Sequence, residues 1–314
     1  MSLAPFIRIV AQGKGRARAL TQSEAHEAMA LILAGDAAPE AIGALLMVLR
    51  LRGETDSEIA GFTAALRASV AATRVEADLD WPCYAAGRTR GAPLFLLAAK
   101  LVSQAGYRVM LHGANSHQQS AANVRQALAT TGLLSDELMY HPLETLSPVA
   151  QDLLNLRDTF GLRSCINTVS RMWNPSDAPV SVQGVFHPSY RGLQASAAAA
   201  LGQRHLTVIK GGGGEFERNP AKEIAVFGLR DGAHISEAAP ALIKETRRLH
   251  EPDGHVDLAA LWAGHLEDDF AKSIVLATAG LALWSLNAAP TISAADSLAN
   301  RLWLARHAPE RKSA

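Results

Sequence analysis

The chain has 314 residues, of which 48% are hydrophobic and 19% charged, which supplies a sizeable core and excludes a disordered chain. Its 30 Lys and Arg side chains balance 30 Asp and Glu, so whole-molecule charge points to no partner. Two cysteines, Cys83 and Cys165, exclude a disulfide framework and a zinc cluster and suit a reducing cytosol.

The opening Met1-Ser2-Leu3-Ala4-Pro5 has no positive start and no apolar stretch, so no leader peptide is expected. Thr21-Gln22-Ser23-Glu24 is a capping box and predicts a helix with Ala28, Leu31 and Ile32 on one face, ended by Gly35-Asp36. Pro39 opens a second helix, in which Ile42, Leu45, Leu46 and Leu49 recur at helical spacing until Gly53. A second capping box, Thr55-Asp56-Ser57-Glu58, opens a third through Ile59, Phe62 and Leu66. Three short helices with tight connections predict a small bundle. Its Ala- and Leu-rich faces suit either an intrachain core or a dimer surface.

Arg74 to Asp80 reads as a polar connector, and the pattern then changes. Tyr107–Leu111, Pro179–Phe186, Leu206–Ile209 and Ile224–Phe227 read as strands, with Ala-rich helical stretches such as Leu193–Gly202 between them. From Leu258 onward the chain reads as helical. The longest largely apolar run, Ile274 to Leu286, falls well short of the ~20 residues of a membrane span and predicts a buried helix. The tail after Pro309 is expected to fray. The alternation predicts an α/β layer with helices on its faces.

Several motifs carry chemistry. From Trp81 to Ser135 there is no Asp or Glu, while Arg88, Arg90, Lys100, Arg108 and Arg125 are present. Such a local surplus can hold an anion, although separate solvated faces explain it equally well. Val208-Ile209-Lys210 runs into Gly211-Gly212-Gly213-Gly214 and Glu215. Without β-carbons that backbone can approach a phosphate closely, or simply form a tight loop. Leu111-His112-Gly113-Ala114-Asn115 ends a predicted strand, where α/β sheets bind ligands, though a lone histidine there also serves a structural role. Arg157, Arg163 and Arg171 lie near Trp173, a combination suited to phosphate contacts and base stacking. Arg163 and Asn167 read as anchors for the turn at Asn174-Pro175, which leaves Arg157 and Arg171 as ligands. His250, Glu251, Asp253, His255 and Asp257 read as a solvated loop rather than a metal cluster. Asp268-Asp269 reads as a charge pair on a helix face.

The segments Leu20–Ala25, Ile42–Thr55 and Glu58–Gly61, with Leu156-Arg157 through Gly161-Leu162-Arg163 to Asn167 and Asn174-Pro175, resemble the anthranilate phosphoribosyltransferase family. Gly184–Pro188 and Lys210–Gly212 fall where later family motifs stand, and the likeness is collinear over nearly the whole chain. The resemblance implies a helical bundle domain at 1–75, joined by a returning segment near 150–172, and an α/β domain at 76–314 with a central mixed sheet flanked by helices. It also implies a homodimer formed through the bundle. For His112, Gly113 and Arg157 it implies contact with an aromatic acid.

The departures from that family shape the functional expectation. The family binds phosphoribosyl pyrophosphate on a G-T-G-G-D loop, but Ala86-Gly87-Arg88-Thr89-Arg90-Gly91 stands here. The family's Mg²⁺-holding Asp-Glu pair becomes Gly214-Glu215, its L-G-P becomes Val169-Ser170-Arg171, and its K-H-G-N-R loses the lysine. This pattern resembles the nucleic-acid-binding, YbiB-type branch of the family. The expectation is a cytoplasmic protein, with no membrane contact and no cofactor, holding single-stranded nucleic acid through Arg88, Arg90, Arg125, Arg157, Arg171, Lys210 and Arg218. Gly87, His112, Gly113, Asn115 and Gly211, Gly212, Gly213 and Gly214 would form a phosphate or small-ligand site. The alternative is a transferase that adds a phosphoribosyl group to an aromatic acid or base, with Glu215 holding Mg²⁺.

Overall fold

The computed structural model describes residues 2–13, 15–70, 75–84, 91–114, 123–245, 247–250 and 256–307. In chain order the elements are α1 (Ala4–Ala11), α2 (Gln22–Leu33), α3 (Pro39–Arg52), α4 (Asp56–Ser69), β1 (Leu79–Cys83), α5 (Phe95–Gln104), β2 (Val109–Gly113), α6 (Val124–Thr131), β3 (Leu138–Pro142) and α7 (Leu143–Leu146). There follow α8 (Pro148–Phe160), α9 (Ile166–Met172), β4 (Val180–Val185), α10 (Tyr190–Ala200), β5 (His205–Lys210), β6 (Ile224–Arg230), β7 (Ala233–Ala239), α11 (Leu258–Ala263), α12 (Asp269–Ser285) and α13 (Ile292–Ala305).

Both capping boxes form. Thr21 and Thr55 each accept from the backbone N–H three residues on, and Glu24 and Glu58 reach back to the cap. Such caps contribute about 1 kcal/mol each. Glu58 is fully buried, where it accepts from the Leu20 N–H and pairs with Arg52. The bundle's core includes Ala28, Ile32, Leu45, Leu46, Leu49, Ile59, Phe62 and Leu66, and it is continuous with Leu153 and Leu154 of α8 and Ile166, Val169 and Met172 of α9.

One seven-stranded sheet runs in the order β3-β2-β1-β4-β5-β6-β7. The five strands from β3 to β5 are parallel, while β6 and β7 are antiparallel. The mixed sheet with flanking helices and a separate helical bundle is the expected architecture. A second core packs α5, α12 and α13 against the sheet, and Ala271–Ser285 of α12 is buried along most of its length. No helix among the described residues is long and apolar enough to cross a membrane.

Some sequence expectations change. Asp80 lies within β1 rather than in a connector, fully buried, and accepts from the Ser181 hydroxyl at 2.7 Å. Asp268 is the N-cap of α12, accepting from the Phe270 and Ala271 N–H groups, rather than half of a surface pair. The acid-free run is answered from outside it. Arg108 pairs with Glu76 and Asp78, and Arg125 with Glu144. The tail after Pro309 lies outside the described residues.

Candidate functional site

A cavity of about 290 Å³ opens at the carboxyl end of β4, where α3, the α8–α9 turn and α10 meet. This is the end of a parallel strand at which α/β sheets gather ligands. Helix α8 stops at Gly161, whose φ of 65° is a left-handed cap that favours glycine. The reversal brings Arg157 before it and Arg163 after it to one wall. Helix α9 adds Arg171, and α3 adds Arg50 near its C-terminal end. Val185, Phe186, His187, Tyr190 and Gln194 complete the far side. Among the described residues no Asp or Glu lines the cavity.

Four guanidiniums without a lining carboxylate repel one another. Burial, followed by the charges of Arg157, Arg171 and Arg50, lowers the Arg163 guanidinium to about 10. Arg171 is 5% exposed and donates through Nη1 to the Asn167 carbonyl at 3.0 Å. Its Nη2, and Nη1 of Arg157, are buried with no hydrogen-bond partner among the described residues. Burial lowers the Arg171 pKa, and Glu215 beyond the cavity wall opposes that shift. Gln194 is buried and its Oε1 is likewise unpartnered. At one rim Tyr190 donates to Glu54 at 2.9 Å. Phe186, 47% exposed, meets His187 edge-on with ring centroids 4.9 Å apart.

The other expected site residues fall elsewhere. Arg218 is fully buried, ion-paired with Asp296 at 2.8 Å, and donates to the Pro240 and Ala277 carbonyls. No polymer reaches it there. Arg125 is exposed on α6 but engaged by Glu144. Lys210 is exposed at the end of β5, outside the cavity lining. Arg88, Arg90, Gly87 and Asn115 lie outside the described residues, as do Glu251, Asp253 and His255.

His112 is a core residue rather than a cavity one. It is fully buried, with Nε2 at 3.0 Å from Asp80 Oδ1 and Nδ1 at 2.9 Å from the Tyr84 hydroxyl, and Trp173 lies edge-on to it. Gly113 is needed for packing, since a Cβ there would overlap the Cys83 carbonyl of β1. Sequence reasoning missed Arg50 altogether and placed Arg163 among the structural anchors. Asn174 anchors the turn itself, donating to the Ala178 carbonyl and accepting from the Ala178 N–H.

The glycine run folds on itself. Gly214 N–H donates to Gly211, Glu215 N–H to Gly212, and Gly212 N–H to Glu217. These donors are therefore not free to cradle a phosphate. Glu217 is fully buried; one oxygen accepts from the Phe95 N–H at the start of α5, and the other pairs with His250. A Cβ on Gly212 would overlap Leu249, and one on Gly91 would overlap His250, so the 247–250 segment sits tightly against both glycines. The Mg²⁺ and pyrophosphate that the family resemblance implies need free oxygen donors and outward N–H groups. No group of three His, Cys, Asp or Glu suited to a metal occurs among the described residues. Glu215, the residue named for Mg²⁺, is buried beside the run, and the 86–90 stretch that stands in place of the family's pyrophosphate loop lies outside the described residues.

Comparison with known proteins agrees with the fold. A profile described as "Glycosyl transferase family, helical bundle domain" matches residues 4–70. The anthranilate phosphoribosyltransferase of Burkholderia thailandensis is 27% identical, over 93% of this chain and 89% of its own length. The structure of the Thermus thermophilus anthranilate phosphoribosyltransferase superposes with a TM-score of 0.76 at 23% identity, covering 91% of this chain and 92% of that one. The Saccharomyces cerevisiae enzyme, in complex with phosphoribosyl pyrophosphate and Mg, gives 0.74 at 14% identity, over 96% of this chain and 93% of that one. The anthranilate phosphoribosyltransferase of Geobacillus kaustophilus is 30% identical over 94% of this chain and 93% of its own length. The chain belongs to the anthranilate phosphoribosyltransferase family.

Proposed function

We propose that the arginine cavity is the ligand site of this protein, and that its ligand is an aromatic anion such as anthranilate, the acid for which its relatives are named. One observation carries the reading. Two buried guanidinium donors, Arg157 Nη1 and Arg171 Nη2, have no hydrogen-bond partner among the described residues, and no described carboxylate lines their cavity. A buried unsatisfied donor costs about 1–3 kcal/mol, and an incoming carboxylate or phosphate removes that cost through charge-assisted hydrogen bonds. Gln194 Oε1 supplies an acceptor for a ligand N–H, such as an aromatic amine. In the glycine run the Glu217 carboxylate and the N–H groups of Gly212, Gly214 and Glu215 are committed within the fold.

A second reading, single-stranded nucleic acid, is favoured by the exposed Phe186–His187 pair at the cavity rim. An aromatic platform beside cations is the recurrent arrangement for stacking bases next to held phosphates. The pairing of Arg125 and the burial of Arg218 shorten the expected track, which places this reading second. Fluorescence titration with anthranilate tests the first, with saturable binding expected in the wild type and at least a tenfold loss in Arg157→Met. Absence of saturable binding refutes it. Anisotropy of a labelled oligonucleotide at about 50 mM salt tests the second, because phosphate contacts weaken steeply as salt rises. No change in anisotropy refutes it.

A further inference from the structure

Gln194 stands one turn after Tyr190 on α10, and both line the cavity, as a spacing of four on a helix allows. The other buried residues of that helix are small, Ala195, Ala197 and Ala198. Tyr190 fixes the face through its bond to Glu54. Gln194 is 1% exposed, and its Oε1 receives no hydrogen bond among the described residues. The donors of the same cavity do not supply one. The Tyr190 hydroxyl is committed to Glu54 and Arg171 Nη1 to the Asn167 carbonyl. Arg157 Nη1 and Arg171 Nη2 are themselves without an acceptor. The field of four lining guanidiniums favours the oxygen end of the amide on the cavity side. The cavity thus holds donors without an acceptor and an acceptor without a donor, and one ligand satisfies both only if it carries an anionic group and a donor of its own.

The chemistry of that donor narrows the class. In an ortho-hydroxy acid the single O–H closes an internal bond to its own carboxylate, and no donor is left over. A primary ortho amine has two N–H bonds, one of which closes the same internal ring while the second stays free. An N-methyl amine spends its only N–H internally, as the hydroxyl does.

We propose that Gln194 is the specificity-determining residue of the cavity, and that it selects aromatic acids bearing a primary ortho amine over the hydroxy, N-methyl and unsubstituted acids. The inference rests on the reading that the cavity holds an aromatic anion, and adds the residue that discriminates among such anions. The carboxylate meets Arg157 and Arg171 in every case, and the free N–H meets Gln194 Oε1 in one case alone. A site built around a buried acceptor rejects an analogue that leaves it unpaired more strongly than an apolar wall rejects one of a slightly different size.

Calorimetric titration at neutral pH with anthranilate, salicylate, N-methylanthranilate and benzoate tests this. All four are monoanions there, so their contacts with the arginines are common to the series. In the wild type, anthranilate binds at least about tenfold more tightly than each of the other three. In Gln194→Met the ratio of anthranilate to salicylate affinity falls to within about threefold of one. Salicylate, nearly the same size as anthranilate, binding as tightly in the wild type overturns the proposal, and that comparison needs no variant to fold. It would leave the cavity as an anion site and remove the role of Gln194. An anthranilate advantage that persists undiminished in a folded Gln194→Met also overturns it. If none of the four compounds binds, the reading of the cavity as the ligand site fails with it.

Discussion

A site that holds like charges together in the absence of its ligand weakens the free protein, and Arg157→Met exposes that cost. Methionine keeps most of the apolar stem and removes both the charge and the buried unpartnered Nη1. An unsatisfied buried donor costs about 1–3 kcal/mol. Arg157 is only half-buried, so solvent screens its repulsion with Arg163, and we take the low end, about 1 kcal/mol gained by the variant. For a chain of this size that corresponds to a melting temperature about 2 °C higher. The order reverses with ligand. A saturating anion at 100 times its Kd stabilises the wild type by about 2.7 kcal/mol and the variant by little. Scanning calorimetry with and without an aromatic anion reads both halves. A variant less stable than the wild type without ligand refutes the reasoning, because Arg157 would then be a structural contact rather than a waiting donor.

Further outcomes concern other parts of the molecule. Asp296→Asn leaves the buried Arg218 guanidinium without its ion partner. It is expected to lower stability by about 3–5 kcal/mol in denaturant unfolding while leaving ligand affinity at the arginine cavity unchanged. Gly113→Ala drives a Cβ into the Cys83 carbonyl and costs about 3 kcal/mol, measurable as a fall in the urea midpoint. Arg163 is lowered to about 10 in the folded protein from an ordinary value of 12.5. The unfolded chain therefore binds more protons between those values, and stability rises with pH across that window. The stabilisation of Arg163→Met over the wild type is expected to be full at pH 8 and to shrink by pH 11 in paired thermal melts.

What the sequence revealed follows the reach of each interaction. The capping boxes at Thr21 and Thr55 and the buried run in α12 depend on neighbours within a few residues, and they formed as read. Strand β1 was hidden because Asp80 and Pro82 interrupt its apolar pattern, and the partners of Asp80 arrive from other strands, Ser181 from β4 and His112 from β2. The edge strand β7 is largely exposed and alanine-rich, so it lacks the alternation that marks a half-buried strand. Charge was least legible. Arg218 reads as a surface cation until Asp296 arrives from α13, and the acid-free run hides Glu76, Asp78 and Glu144. Arg50 joins the site only through the packing of α3 beside the α8–α9 turn. Arg157 and Arg171 were visible because they share one short stretch of chain.

The central claim is that the arginine cavity is built for an anion, and the most direct measurement is the anomalous difference map of a crystal soaked in selenate. The account predicts a selenium peak inside the cavity, within hydrogen-bond reach of Arg157 Nη1 and Arg171 Nη2. Selenate bound at other sites, with the cavity holding only water at the same soak concentration, would contradict it.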